Sequence, residues 1–379
     1  METAPLAAPA PPWYRIPAPD TPVAGWHVSP FVDAAAYHWS WVWVLLPVLL
    51  IGGPEASWWP MMVFVLGLNF SHRLLTLPYV YLDWAVFRTH PWKFSVFPLL
   101  MVACIAASPF VERSGPAGRL ALGICAGVSA VWNLWHVLMQ KYGILRMYAA
   151  KSGLPPASRT PGWVDRLLVF APLPLLVAWV GPEHRDAVAR YFRSGKSFMP
   201  AVIDALVAFR PVLLATGIAL CLAAIFLFVR AEWRSHRLTH RPRLSMALGT
   251  TVLAGAFLVV DPIKAYLAYG FSHALEYTVF VWAYLRKRYR APLAHDPPLG
   301  RLLRRPALFY AAVLLGLGTF YALAKWWDDY FFPGEKPPMW GGVPSHRWVF
   351  YLAVFQSMTH FYFDGFLWKM RVPETRANL

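Results

Sequence analysis

Residues 58–76 read Trp-Trp-Pro-Met-Met-Val-Phe-Val-Leu-Gly-Leu-Asn69-Phe-Ser-His72-Arg73-Leu-Leu-Thr76. The stretch is apolar enough for a bilayer, yet Asn69, His72, Arg73 and Thr76 recur at offsets of three and four, the spacing of one helical face. The run continues to about residue 82, which at about 1.5 Å per residue crosses a hydrocarbon core of about 30 Å. A histidine and an arginine at that depth cost on the order of a few kcal/mol each unless paired or metal-bound. The stretch therefore predicts a membrane helix with one polar stripe turned into the interior of a bundle.

The rest of the chain repeats the theme. Its 379 residues are 58% hydrophobic and include 20 Trp, too apolar for a water-soluble domain of this length. Runs of span length, about 17–25 residues, lie at about 38–54, 58–82, 94–111, 119–140, 164–181, 211–230, 244–262, 264–285, 306–326 and 346–369. The expected fold is an all-α polytopic transmembrane bundle of about ten spans. The tight break at Asp261-Pro262 leaves open a kinked re-entrant pair there. Residues 1–36 are rich in Pro and Ala, with no basic start before an apolar core; they predict a disordered arm and not a signal peptide. Residues 37–370 then form the transmembrane domain, and 371–379 a short tail.

A net charge of +16 raises the question of nucleic acid, but its distribution argues against that partner. On a ten-span topology about 23 Lys and Arg fall on the side of both termini and about 11 on the other, the asymmetry of the positive-inside rule. Both termini are expected in the cytoplasm, and the chain in a bacterial cytoplasmic (inner) membrane. The runs at 286–290 and 301–305 read as topology determinants that can also touch anionic lipid. Trp39, Trp41, Trp43, Trp58, Trp59, Trp326, Trp327 and Trp340 cluster at span ends as an aromatic belt. Cys104, Cys125 and Cys221 lie in apolar runs without CxxC spacing, so neither a disulfide framework nor a thiolate site is expected. The chain contains no Gly-rich phosphate loop, GxSxG elbow or dinucleotide fingerprint.

Three further spans carry a stripe like that of the second. Asn133, His136 and Gln140 share a face of the fourth; His273 and Glu276 lie three apart in the eighth; Gln356, His360 and Asp364 step by four through the tenth. These even-numbered spans run parallel, so the four histidines can meet at one depth. Imidazoles with carboxylates suit a transition metal, iron, zinc or manganese, and helix-borne pairs of this kind build di-iron centres in bundles. The expected ligands are His72, His136, His273 and His360, with Glu276 and Asp364 as ligands or orienting groups and one or two ions bound. Asn69, Asn133, Gln140 and Gln356 stand around them, and Arg73 balances the carboxylates or binds an anionic substrate. A lone membrane histidine is more simply an interhelical hydrogen-bonding residue, and that reading weakens as four coincide. His27, His38, His90 and His346 fall at span ends or in loops, where they need no special role. His236 and His240 have ligand spacing but sit among Arg230, Arg234, Arg237, Arg241 and Arg243, which repel a cation.

These histidines resemble those of integral-membrane oxygenases. The membrane desaturase and hydroxylase group uses close histidine boxes; here the one His-x-x-x-His is the basic-loop pair, and His-His does not occur. The pattern is nearer to the carotene-cleaving dioxygenases of the bacteriorhodopsin-related-protein type, in which single histidines spread over several helices and one precedes an Asp by four residues, as His360 precedes Asp364. The segments Gln140-Lys141-Tyr142-Gly143-Ile144-Leu145-Arg146 and His360…Asp364-Gly365-Phe366-Leu367-Trp368-Lys369 also look like a group of bacterial polytopic membrane proteins, a likeness that implies membrane placement and no particular activity. The resemblance to oxygenases implies a non-haem iron oxidoreductase acting on a lipid or isoprenoid. Unless it is a dioxygenase it needs an external electron donor, since no flavin or iron–sulfur motif is present. A proton- or cation-coupled transporter or channel, with the stripes lining a path, and a haem-binding electron carrier are the alternatives.

Overall fold

The computed structural model describes residues 25–53, 55–183, 207–235, 240–290 and 338–368, with single positions 204, 298 and 300. The described residues are almost entirely helical. In chain order they form α1 (Pro30–Asp33), a π-helical turn (Ala34–His38), α2 (Val42–Ile51), α3 (Glu55–His72), α4 (Thr76–Tyr81), α5 (Trp84–Thr89), α6 (Pro91–Arg113), α7 (Pro116–Lys151), α8 (Gly162–Phe170), α9 (Pro172–Glu183), α10 (Arg210–Arg234), α11 (Arg241–Val259), α12 (Pro262–Arg288) and α13 (Ser345–Leu367). One short hairpin of β1 (Met339–Trp340) and β2 (Val343–Pro344) precedes α13.

Among these residues six helical stretches are long and apolar enough to cross a membrane: Pro60–Tyr81, Pro91–Arg113, Pro116–Lys151, Gly162–Trp179, Arg210–Arg234 and Arg241–Val259. A seventh span arises if the stretch Pro30–His38 and α2, bent by 60° at their junction, count as one. Large apolar side chains stand exposed on α6, α7 and α10, including Leu99, Val131 and Leu222. In water such faces would be a liability, and against hydrocarbon they cost nothing. The expected ninth span, the tail 371–379, His236, Trp326 and Trp327 lie outside the described residues.

Proline and glycine chemistry sets the breaks near the interior polar residues. α3 stops at His72 because Pro78, four residues beyond Leu74, has no N–H to offer the Leu74 carbonyl. The chain tightens into i→i−3 bonds instead, from Arg73, Leu74 and Leu75 to Phe70, Ser71 and His72 at 3.0–3.2 Å, before α4 resumes. α11 and α12 are separate helices that meet at Val260 and Asp261. Asp261 caps α12 by accepting from the amides of Ile263 and Lys264 at 2.9 and 3.3 Å, with Pro262 at the first helical position. Gly249 lets α11 pass against the π-helical turn, since a Cβ there would meet the His38 carbonyl oxygen at 2.0 Å.

The expectation of a disordered arm through residue 36 does not hold from Gly25 onward. Asp33 turns back to accept from the amides of His27, Val28 and Ser29 at 2.6, 2.9 and 3.3 Å. Ser29 caps α1. This folding buries His27 and His38, both read above as loop or span-end residues. Composition missed it because local side-chain capping, and not apolar periodicity, organises the segment.

Four apolar cores hold the helices. One joins α2, α3, α11 and α12 through residues such as Val48, Leu68, Leu253 and Leu267. A second joins α6, α7 and α13 through Met101, Leu122 and Phe355. A third packs α7, α8, α10 and α11. The fourth, rich in tyrosine and phenylalanine, closes the end of the bundle where α4, α5, α12 and α13 meet.

Candidate metal centre

The helices that carry the polar stripes surround one point in the interior. α3 presents His72, α7 His136, α12 His273 and α13 His360, and their imidazoles form a closed circuit. Ring centroids stand 4.8 Å apart for His72–His273, 5.2 Å for His273–His136, 4.8 Å for His136–His360 and 5.1 Å for His360–His72. All four contacts are edge to face, with interplanar angles of 70–87°. His72, His273 and His360 are 0–2% exposed.

Among the described residues, most of these ring nitrogens find no hydrogen-bond partner. Both nitrogens of His72, His273 and His360, and Nε2 of His136, are buried with no hydrogen-bond partner among the described residues. Buried polar atoms are almost always paired, and an orphan costs about 1–3 kcal/mol. Several orphans facing one another are the signature of a group that would complete them. Candidate ligand atoms of His72, His273 and His360 all lie within 4.8 Å of one another, as do those of His136, His360 and Asp364.

Asp364 is aimed by its neighbours. Its Oδ1 accepts from the Tyr277 hydroxyl at 2.8 Å and from Trp368 Nε1 at 3.0 Å, and that indole also donates to the Tyr277 oxygen at 3.0 Å. Oδ2 is left facing His360 Nε2 at 3.6 Å and His136 Nε2 at 3.7 Å. These separations are too long for hydrogen bonds. They suit two ligands of a shared ion, since atoms about 2.1 Å from a metal at a tetrahedral angle stand about 3.4 Å apart.

Glu276, expected beside His273 as a ligand or orienting group, points elsewhere. Its Oε1 pairs with Lys141 Nζ and accepts from Ser272 Oγ at 2.7 Å, while Oε2 accepts from Gln140 Nε2 at 3.1 Å. An ammonium next to it in sequence-distant α7 claims the carboxylate, so it is not free for an ion. Gln140 also donates to the His273 carbonyl at 3.0 Å, and Lys141 to Ser272 at 2.9 Å. Arg73 extends along α13, donating from Nη1 to Ser357 Oγ and from Nη2 to Asn69 Oδ1 at 2.9 Å. Asn69 in turn donates to the Gly270 carbonyl at 3.3 Å. Asn133 is half-buried one turn before His136, and Gln356 one turn before His360 has its Oε1 buried with no partner among the described residues.

The structure thus brings the four histidines and Asp364 together, keeps Asn69, Arg73 and Gln140 in the hydrogen-bonding frame around them, and turns Glu276 away from the rings into a pair with Lys141. Lys141, Ser272, Tyr277, Ser357 and Trp368 were not singled out from the sequence. Their offsets could have flagged two of them, since Tyr277 and Ser357 continue the stripes of α12 and α13. His240, at the start of α11, packs against Gly25 and does not join the cluster.

A second buried polar group lies beyond the Lys141–Glu276 pair. Ser40, at the bend between the π turn and α2, donates to Ser272 at 2.9 Å. Tyr148 donates to Asp33 at 2.9 Å and meets His38 Nε2 at 3.0 Å, and His27 Nδ1 meets the Tyr37 hydroxyl at 2.8 Å. Comparison of the chain with protein-family models, curated proteins and solved structures finds no match. Any assignment rests on the geometry.

Proposed function

We propose that this is a membrane-embedded, metal-dependent oxidoreductase, a non-haem iron enzyme of the oxygenase, desaturase or hydroxylase kind, acting on a lipid or isoprenoid that enters sideways from the bilayer. One observation carries the reading: four imidazoles and a carboxylate converge in the interior, with both nitrogens of His72, His273 and His360 and Nε2 of His136 buried and unpaired among the described residues. A donor set of imidazoles and one carboxylate suits iron, with zinc and manganese as the competing ions. His360 belongs to both candidate groups. His72, His273, His136 and Asp364 would join it in holding one or two ions. A bound transition metal would supply Lewis-acid and one-electron chemistry toward dioxygen.

The chain's own residues do the rest. Tyr277 and Trp368 fix the direction of Asp364, as outer groups orient ligands in metal sites generally. Phe361, 4.8 Å from the His136 ring, and Trp132 behind it keep water from one side of the cluster. Arg73 offers a charge one residue from His72, to offset Asp364 or to meet an anionic substrate group. Reactions other than dioxygenation would draw electrons from an external donor. We further propose about ten spans, both termini in the cytoplasm and a bacterial inner-membrane location, on the charge asymmetry of the sequence.

Adjacent imidazoles 4.8–5.2 Å apart, centre to centre, leave no porphyrin-thick gap between neighbouring rings, which weighs against a haem held by an adjacent pair. Proton-coupled transport is favoured by a different observation, the second polar group reaching from Glu276 toward His27. The deciding experiment measures metal content and the visible spectrum of purified protein beside a His72/His136/His273/His360 quadruple alanine variant and a His346→Ala control. Near-stoichiometric iron or another transition metal, at one or two ions per chain, should be present in wild type and control and absent from the quadruple variant, with no haem band. Metal-free wild-type protein would sink the enzyme reading and direct attention to proton flux in proteoliposomes.

A further inference from the structure

The cluster is assembled from two tightly packed helix pairs. α3 and α12, which carry His72 and His273, lie against each other along their length within the core they share with α2. α7 and α13, which carry His136 and His360, do the same beside α6. Between the pairs the backbones stand apart: α7 approaches α12 closely over a short stretch only, and α3 forms no packed face with α7 or α13. On the side of the cluster toward the start of α3 and α12, each pair keeps to its own apolar core. The shared aromatic core closes the opposite end.

Polar contacts span this seam. The densest joins α7 to α12, where consecutive residues Gln140 and Lys141 reach Glu276, Ser272 and the His273 carbonyl. Lys141 is 2% exposed and Glu276 0%. Lys141 follows His136 by five residues and Glu276 follows His273 by three, so the tie sits within about a turn and a half of both rings. In a low-dielectric interior a charged pair with its remaining valences filled is strong and directional, whereas apolar contacts slide.

We propose that Lys141 and Glu276 are positioning residues, a clasp that fixes the distance between the His136 and His273 rings and so sets the metal affinity of the cluster. The proposal rests on the metal reading for its affinity arm alone. The test uses full-length protein in which the three native cysteines are replaced by serine and spin labels are placed at Phe64→Cys on α3 and Val128→Cys on α7. Both positions are exposed, and each lies eight residues before its histidine. Pulsed dipolar spectroscopy reports the separation of the two halves without metal; cobalt titration reports affinity and, from its visible bands, ligand geometry.

In Lys141→Met and Glu276→Gln the distance distribution should broaden, the cobalt dissociation constant rise at least tenfold and the cobalt bands shift. The reversed pair K141E/E276K should recover part of all three. A residue that merely stabilises the fold would lower thermal stability and leave the bands and distance of the folded protein unchanged. Where the neutral variants do not fold, Lys141→Arg and Glu276→Asp keep the charges while altering reach, and should move the same readouts by smaller amounts. Wild-type distances and affinities in these variants would overturn the proposal. If wild-type protein binds no cobalt, the metal reading fails, and the clasp stands or falls on the distance measurement.

Discussion

At the scale of single residues, Asp364 does the most to distinguish a metal centre from a nest of satisfied histidines. Tyr277 and Trp368 occupy one of its oxygens and leave the other facing His136 and His360. Asp364→Asn should weaken metal binding by about 10–100-fold, and Tyr277→Phe by about tenfold through loss of orientation; competition against a chelator of known affinity checks both. The histidines and Asp364 were legible in the sequence because polar residues at offsets of three and four inside an apolar run have no reason to be there by composition. Lys141 was not. The fourth span was expected to end at residue 140, which put this lysine at the membrane surface, where a cation needs no partner; α7 runs on to Lys151 and buries it. The pairing of Glu276 was hidden for the same reason, since its counterion was invisible.

At the scale of elements, breaks mattered as much as helices. Pro78 ends α3 at His72, and Ser40 sits where the π turn meets α2, both within the polar interior. The first break can be read from the proline spacing. The second is hidden in Trp39-Ser40-Trp41, which reads as an aromatic belt. Close packing of α11 on the π turn depends on Gly249, so Gly249→Val should lower stability by about 1–3 kcal/mol, measured as the thermal transition in detergent. The buried ion cluster at the start of α11 gives a larger effect. Arg243 binds Asp165 and Glu232 at 2.5 and 2.7 Å with all three buried. Arg243→Met should cost about 3–5 kcal/mol because Glu232 loses its counterion and Asp165 is left with Arg146 alone.

At the scale of the whole molecule, the class was legible from run length and apolarity, and the number and direction of spans rest on charge counting. Cysteines introduced as Thr3→Cys and Asn378→Cys should both react with an impermeant reagent from the cytoplasmic face of sealed vesicles. Labelling from opposite faces would require an odd number of spans. The convergence of four helices could be anticipated from parallel direction and similar depth. The pairing of α3 with α12 and α7 with α13 could not, because it depends on which apolar faces fit.

α12 and α13 are 27 and 23 residues long and carry the polar half of the interior, yet neither is among the stretches apolar enough to pass as a membrane span alone. A charged residue at mid-helix costs the insertion machinery about 2.5–3.5 kcal/mol, so these segments would partition poorly if each entered lipid unaided. The order of synthesis relieves this. Lys141 emerges before Glu276, Tyr277 before Asp364, and the helices bearing His72 and His136 before those bearing His273 and His360. Each late polar residue finds its counterpart already in the bilayer, and a circular permutation that reversed this order would leave the ribosome feeding unaccompanied charges into the membrane.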